Sequence, residues 1–205
     1  MNQDIPALTI VPANEASCED LLAVFGEKGY TSRCLCQRFR TTGDEWWHDP
    51  IPREERVFRL RQQTDCGYPE SETTSGLVAY LDGEPVGWCA VDRRSEHIRL
   101  GQTPWKGRSQ DEEDDTVWAV TCFAIRVGYR GRGITYRLAA AAVEHARERG
   151  ARALEAYPME PDPGQTITWG EIHVGHRKVF EAAGLREVSH PSKRRSVMRV
   201  EFGDG

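Results

Sequence analysis

Long apolar runs, dense cysteine spacing and an excess of basic charge are all missing from this 205-residue sequence. No apolar run approaches the roughly 20 residues that cross a membrane, so we expect no membrane partner. The first ten residues, MNQDIPALTI, lack a basic segment followed by an apolar one, which predicts a cytoplasmic protein. The net charge of −5 argues against a general nucleic-acid binder.

Cysteines are too sparse for a disulfide scaffold, so we expect all of them to be reduced thiols: Cys18, Cys34, Cys36, Cys66, Cys89 and Cys122. The pair Cys34-x-Cys36 would supply only two of the four ligands of a zinc site. Structural zinc takes four ligands and no second close pair follows, so we expect small apolar side chains and no metal here.

Length and composition predict one domain over residues 1–205, with flexible ends at 1–6 and 203–205. The chain is 39% hydrophobic and 29% charged, which suits one globular core. No internal repeat is visible. We expect a monomer or a homodimer.

A β-α-β unit stands out between residues 116 and 158. Thr116–Val127 is rich in β-branched and aromatic residues without Gly or Pro, which predicts a buried strand. A Gly-rich turn follows, then a predicted helix, Ile134–Gly150, and a second strand, Arg152–Pro158. This order of elements places the turn at the end of a strand and the start of a helix.

The turn, GYRGRG at 128–133, has the composition of an anion cradle. Gly131 and Gly133 permit positive φ and bare backbone approach, and the first turn of a helix offers free N–H groups with a positive dipole end. Arg130 and Arg132 add charged, forked donors. The alternative is a solvated connection with no ligand.

The sequence RGRGIT at 130–135 resembles the Arg/Gln-x-x-Gly-x-Gly/Ala signature of the GNAT superfamily, the GCN5-related N-acetyltransferases. There the loop holds the pyrophosphate of acetyl-coenzyme A. Thr135 departs from the Gly or Ala of the signature, and its β-branch crowds that backbone. IRVGYRGRGI and the later FEAAGL at Phe180–Leu185 extend the resemblance over about the last 90 residues.

A dinucleotide-binding fold is a rival interpretation of the same turn. Gly131-x-Gly133 followed by Glu155 imitates its fingerprint. Its third glycine would have to be Tyr136, and the chain has only one clear β-α-β unit, so we set this interpretation aside.

The resemblance implies an α/β (α+β) fold with a mixed, mostly antiparallel sheet of about six or seven strands. Helices would cover both faces, and the fourth and fifth strands would splay apart to admit the pantetheine arm. A local bulge would free an N–H near Ala124 or Ile125 for the thioester oxygen. The implied contacts with acetyl-CoA, the co-substrate, are Phe123, Ala124, Ile125, Arg130, Gly131, Arg132, Gly133, Ile134 and Thr135.

The implied reaction is acetyl transfer from acetyl-CoA to a primary amine of a small molecule or peptide by direct attack. Glu155 and Tyr157 share a face of the second strand, and the first strand carries no carboxylate. Glu155 is the candidate base, with an ion pair to Arg130, Arg132 or Arg152 as the alternative. Many members place a proton-donating tyrosine where this chain has Phe180, so Tyr157 or water would replace it.

A non-catalytic sensor that binds acyl-CoA is the alternative function, because the same cradle would serve it. We expect Trp46, Trp47 and Cys122 to contact the acceptor amine. His48, His173 and His176 lie in segments that reach the expected pocket, although each alone is typical of a surface or capping residue. The sequence carries no motif that identifies the acceptor amine.

The rest of the chain supplies the framework. We expect a helix capped by Asn14, an extended segment lining the acceptor site, a loop with exposed tryptophans and a hairpin at Asp82-Gly83. The predicted bounds are strand Ala7–Pro12, helix Asn14–Gly29, extended Arg33–Arg40, loop Thr41–Pro50, helix Pro52–Thr64, strands Gly76–Leu81 and Glu84–Val91, loop Asp92–Asp115, helix Val174–Ala183 and strand Ser196–Phe202.

Overall fold

Seven strands form one sheet in the order β1-β2-β3-β4-β5-β7-β6. The computed structural model describes residues 7–47, 50–102, 114–161 and 171–203, with only the backbone of residues 47 and 102. All neighbouring strands are antiparallel except β4 and β5. The strands are β1 Leu8–Pro12, β2 Leu77–Leu81, β3 Glu84–Arg93, β4 Val117–Ile125, β5 Ala153–Ala156, β6 Arg186–Ser192 and β7 Arg195–Glu201.

The hairpin between β2 and β3 turns where the sequence predicts. Asp82 and Gly83 have φ values of 52° and 81°, the two positive values that a tight two-residue turn requires. Leu81 lies opposite Glu84 across the turn.

Strand β5 runs beside only the first part of β4. Their pairing begins with Val117 opposite Ala153 and ends with Val120 opposite Ala156, whereas β4 continues to Ile125. The C-terminal half of β4 therefore has a free edge toward β5. This is the predicted splay, and the predicted fold class is confirmed.

Six α-helices lie in the described part of the chain, on both faces of the sheet. Helix α5 packs Leu138 and Ala142 against one face with α6, while α1 and α4 cover the other face around the fully buried Trp88. Among the described residues no helix has the length and apolar character to cross a bilayer. The helices are α1 Cys18–Phe25, α2 Tyr30–Cys34, α3 Gly43–Trp47, α4 Arg53–Thr64, α5 Ile134–Glu148 and α6 Arg177–Ala182.

The first helix starts later than predicted. The Ser17 hydroxyl accepts from the backbone N–H of Asp20 at 3.0 Å and caps α1, whereas Asn14 lies in a preceding 3₁₀ turn. The Asn14 amide instead donates to the carbonyls of Pro69 and Ser71, at 3.2 and 3.0 Å. The prediction failed because both residue types cap helices and the deciding partners are distant in sequence.

The predicted extended segment Arg33–Arg40 is wrong. Helix α2 occupies its start, and Leu35 and Cys36 follow with φ values of 45° and 55°. Two successive left-handed residues are incompatible with a strand. Their strain is offset by burial, since both side chains lie in the core between the sheet and α4.

Three further features differ from the prediction. Residues 43–47 form helix α3 within the expected loop, and the edge strand β6 was not predicted, because its mostly exposed side chains give little alternation. Cys18 and Cys66 form a disulfide with Cα atoms 5.1 Å apart, so not all thiols are reduced. The two cysteines are 48 residues apart in sequence, and spacing alone gave no sign of their pairing.

We predict that Gly76→Ala strongly destabilises the fold. Gly76 has a φ of 94°, and a Cβ there would lie 2.1 Å from the Cη2 atom of the buried Trp88. Strain and overpacking together should reduce the free energy of unfolding by roughly 2–4 kcal/mol. The measurement is the urea midpoint. Gly43→Ala is the control, because no atom lies near its added methyl; equal midpoints for the two variants would contradict the prediction.

Candidate active site

A cleft of about 1350 Å³ opens where β4 loses its neighbour. One wall is the end of α1 with the chain leading into α2, and the other is the end of β4 with the start of α5. A third segment, between the 3₁₀ turn Ile172–Val174 and α6, closes the inner end. The cleft is lined by residues 22–31, 53, 123–127, 129–131, 133–136, 172–173, 175–176 and 179.

The start of α5 has the backbone geometry that an anion site requires. Gly133 has a φ of 75° and occupies the N-cap without a side-chain cap. Within the described chain, the backbone N–H groups of residues 131–135 donate to no backbone carbonyl outside the helix and to no side chain. Five successive donors at the positive end of a 15-residue helix form the predicted cradle.

Two arginines flank the cradle on exposed positions. The Arg130 side chain donates to the carbonyl of Ile125 at 3.3 Å, and Arg132 donates to the carbonyl of Gly128 at 3.4 Å. Arg132 also lies over the Tyr129 ring, with its guanidinium carbon 5.3 Å from the ring centroid. These contacts hold both positive charges beside the free N–H groups.

The unpaired half of β4 forms one wall of the cleft, and Phe123, Ala124 and Ile125 all lie there as predicted. The bulge in β4 is at a different residue. Ala90 pairs with Cys122 and Val91 with Val120, which leaves Thr121 as the extra residue. The predicted bulge near Ala124 or Ile125 is therefore wrong, because register depends on pairing with β3 rather than on composition.

Tyr30 and His173 meet at the inner end of the cleft, with ring centroids 5.9 Å apart. The Tyr30 hydroxyl accepts from a guanidinium N–H of Arg38 at 2.9 Å. Burial, reinforced by Cys34, raises the pKa of Tyr30 to about 12, although Arg38 opposes the shift. Tyr30 is therefore a protonated phenol facing the cleft at neutral pH.

Glu155 and Tyr157 are not among the described residues that line the cleft. Glu155 is buried and its carboxylate accepts from Arg199 at 2.6 Å and lies 3.4 Å from Arg94. The Tyr157 hydroxyl donates to Glu155 and accepts from Arg94 at 3.2 Å. Burial and the Glu155 charge raise the pKa of Tyr157 well above its usual value. The geometry favours the ion-pair alternative, with partners other than the predicted ones, and the catalytic assignment of both residues stays a prediction.

Phe180 lies in the core rather than in the cleft. It is 1% exposed, and its ring centroid is 5.8 Å from that of Phe123. Gly175 brings its backbone onto both rings, since a Cβ there would lie 2.9 Å from each. The Phe180 side chain has no polar hydrogen, so it cannot donate a proton to the cleft.

The residues assigned to the acceptor lie elsewhere. Trp46 lies on α3 under the Arg56 guanidinium, 5.0 Å from the ring centroid, and is not part of the cleft lining. The Trp47 side chain and His48 lie outside the described residues. Cys122 is buried beneath the cleft next to Cys36. Contact of these residues with an acceptor stays a prediction.

Comparison with known families agrees with this geometry. The model of the acetyltransferase (GNAT) family matches residues 39–165, well over half of the chain. The chain therefore belongs to the GNAT family, a family of acetyltransferases and so of acyltransferases. No curated protein matches the chain in sequence.

Solved structures share the whole fold at low sequence identity. yncA from Salmonella typhimurium, described as a structure with its cofactor acetyl-CoA, is 15% identical over 97% of this chain and 96% of its own, with a TM-score of 0.53. A GCN5-related N-acetyltransferase from Kribbella flavida is 15% identical over 96% and 98%, with a TM-score of 0.53. A GNAT-family acetyltransferase from Streptococcus pneumoniae is 17% identical over 96% and 100%, with a TM-score of 0.52. At these identities the likeness establishes the fold alone.

Sequence reasoning missed Tyr30 and underrated the histidines. His173 and His176 both line the cleft, and His173 is buried rather than a surface residue. Tyr30 lies just beyond the predicted helix Asn14–Gly29 and before the predicted extended segment Arg33–Arg40, where the sequence predicted no element. Only the chain reversal between α1 and α2 brings it over β4, and no local pattern signals that reversal.

We predict that Glu155→Gln destabilises the protein. Removing the carboxylate leaves Arg199, which is 2% exposed at its side chain, without its buried counter-charge. The loss should be roughly 3–5 kcal/mol in the free energy of unfolding. Glu201→Gln is the matched control, because Glu201 also pairs with Arg199 but is half exposed. A Glu155→Gln protein of normal stability that had lost turnover at low pH would instead support Glu155 as the base.

Proposed function

We propose that the protein transfers an acetyl group from acetyl-CoA to a primary amine by direct attack. The observation that supports this proposal most directly concerns the backbone N–H groups of residues 131–135. All five lack a hydrogen-bond acceptor in the described chain, and they follow directly after the free edge of β4. A pyrophosphate would bind the former while the amides of a pantetheine arm pair with the latter. Arg130 and Arg132 would supply the counter-charge.

The reaction needs two proton movements within the cleft. The amine attacks the thioester carbonyl after losing a proton, the C–S bond breaks, and the departing thiolate takes up a proton. An alkylammonium has a pKa of about 10.4 and a thiol one of about 8.5, so deprotonating the amine is the harder step at neutral pH. Backbone N–H groups along residues 123–125 would stabilise the oxyanion.

Tyr30 is the group that we assign to protonate the thiolate. With the pantetheine arm along β4, the thioester would lie toward Phe123, at the end of the cleft where Tyr30 and His173 meet. Its raised pKa keeps the phenol protonated, and Arg38 occupies an acceptor site on its oxygen, leaving the O–H to donate. Tyr30 would thus take the role of the tyrosine that many family members have at the position of Phe180.

A non-catalytic acyl-CoA sensor is the second candidate function. The burial of Phe180 favours it, because the position that carries an acid in many members has none here. Thiol release in the presence of a panel of amines separates the two, since a sensor binds acetyl-CoA and leaves the thioester intact.

We predict that Gly133→Asp strongly weakens acetyl-CoA binding. Asp tolerates a positive φ and caps helices well, so α5 should persist while a carboxylate occupies the cradle. The dissociation constant measured by calorimetry should rise at least tenfold, the loss expected for about 1.5–3 kcal/mol of charged hydrogen bonding.

Gly133→Asn is its control, with the same shape and no charge. It should weaken binding much less than Gly133→Asp. Unchanged affinity in the Asp variant would show that the cradle does not hold the pyrophosphate.

We predict that Tyr30→Phe lowers kcat by about 100-fold, the contribution typical of a positioned acid. Because the pKa of Tyr30 is about 12, the wild-type kcat should not fall on the alkaline side below about pH 10. Tyr136→Phe is the control, since Tyr136 lines the cleft at the cradle end. Wild-type kcat in Tyr30→Phe would exclude this role.

A further inference from the structure

Three arginines converge behind Tyr30, on the face of the sheet that carries α1 and α4. Arg38 donates to the Tyr30 hydroxyl at 2.9 Å, and Arg99 donates to the Arg38 carbonyl at 3.3 Å. The backbone N–H of Arg99 also donates to Phe39 at 3.1 Å, which ties the two segments together. Arg195, at the start of β7, is near enough for the charges of Arg38 and Arg99 to act on it. We call Arg38, Arg99 and Arg195 the arginine cluster.

The members of the arginine cluster repel one another. Burial and the Arg38 charge lower the pKa of Arg99, and burial with the charges of Arg38 and Arg99 lowers that of Arg195. Tyr30 opposes the shift of Arg99, and Tyr157 opposes that of Arg195, although neither outweighs burial and the Arg38 charge. Placing the half-buried cations Arg38 and Arg99 side by side costs stability unless an anion joins them.

Neighbouring arginines on this face do have carboxylate partners. Arg40 pairs with Asp92 and Glu96, and Arg94 lies 3.4 Å from Glu155. In the part of the chain that the structure describes, neither Arg38 nor Arg99 has a carboxylate within salt-bridge distance. The donor positions of Arg38 and Arg99 are thus satisfied only by neutral oxygens.

The cluster adjoins the cleft at the end opposite the cradle. Tyr30 and His173 line the cleft and separate its inner end from Arg38, while Phe39 packs 6.1 Å from the His173 ring. An acceptor whose anionic group reached the guanidinium groups past Tyr30 and His173 would therefore have its other end on the side of the thioester position near Phe123.

We propose that the arginine cluster binds an anionic group of the acceptor, so that the acceptor is an amine that also carries a carboxylate or similar oxyanion, as a free amino acid does. Guanidinium groups match such oxyanions in forked geometry. The anion would anchor the acceptor and direct its amino group toward the thioester. This inference rests on the proposed function and assigns its substrate class.

A purely structural role is the competing explanation, since Arg38 and Arg99 also donate to protein oxygens. It predicts that replacing either arginine destabilises the protein. Anion binding predicts the opposite, because removing one of three repelling cations stabilises the unliganded protein or leaves it unchanged.

The experiment compares acetyl transfer to L-amino acids and to their C-terminal amides, which differ only in the carboxylate. We expect KM for the acids to be at least tenfold lower than for the amides. Arg99→Gln should raise KM for the acids by about 10- to 150-fold, the range for a lost charged hydrogen bond, and leave KM for the amides nearly unchanged. Arg38→Gln should raise the ratio of the two KM values in the same way, and it should also lower kcat for both substrate classes because it removes the hydrogen bond to Tyr30. Arg38→Lys, which keeps the charge, should restore part of the preference.

Controls separate this inference from the proposed function. Arg137→Gln, on the exposed face of α5, should change KM neither for the acids nor for the amides. Acetyl-CoA affinity is measured for every variant and should stay constant. Absence of acetyl-CoA binding in the wild type would overturn the proposed function, whereas bound acetyl-CoA with equal KM for acids and amides would overturn the arginine cluster alone.

A binding measurement tests the cluster even without turnover. Succinate at constant ionic strength should raise the thermal midpoint of the wild type, by mass action, more than succinamide does. The Arg38→Gln Arg99→Gln double variant should lose that difference. Equal shifts with the two compounds in the wild type, or a difference that persists in the double variant, would overturn the proposal.

Discussion

The separation of β4 from β5 is the constraint on which the rest of the site depends. Strand β5 is short and pairs along its whole length, ending at Ala156 opposite Val120, whereas β4 runs on to Ile125. The free edge leaves backbone groups that a ligand could satisfy, because an unpaired buried polar group is costly. The cradle at the start of α5 follows the same strand directly, so one strand would position both ends of the proposed cofactor.

The face opposite α5 carries an unusual amount of charge. Glu155 neutralises Arg199 and lies beside Arg94, which fixes β5 and β7 together across the sheet. That network ends at Tyr157, and beyond it lies the arginine cluster, which begins at Arg195. Among the described residues of this face, Arg94 and Arg199 have carboxylate partners whereas Arg38 and Arg99 have none, and this contrast is the basis for proposing that the cluster binds an anion.

Features encoded in adjacent residues could be predicted from the sequence. The Asp82-Gly83 hairpin, helix α4 and the glycine turn before α5 each depend on a contiguous pattern, and the order of strand, turn and helix was enough to predict where the cleft opens. Features that depend on distant pairing could not. Ser17 rather than Asn14 caps α1, Cys18 bonds to Cys66, and Tyr30, Arg38 and Arg99 meet only after the chain has folded, because each pairing is decided by tertiary contacts.

The arginine cluster also bears on how the acceptor loses its proton. A nearby positive charge favours the neutral form of an amine, just as Arg38 lowers the pKa of Arg99. The guanidinium groups of Arg38 and Arg99 facing one bound carboxylate would leave a net positive field at the inner end of the cleft. In that field an acceptor ammonium would titrate below its usual pKa of about 10.4, and the demand on a general base would fall accordingly. An acceptor held by its carboxylate would thus enter the reaction closer to its neutral, nucleophilic form.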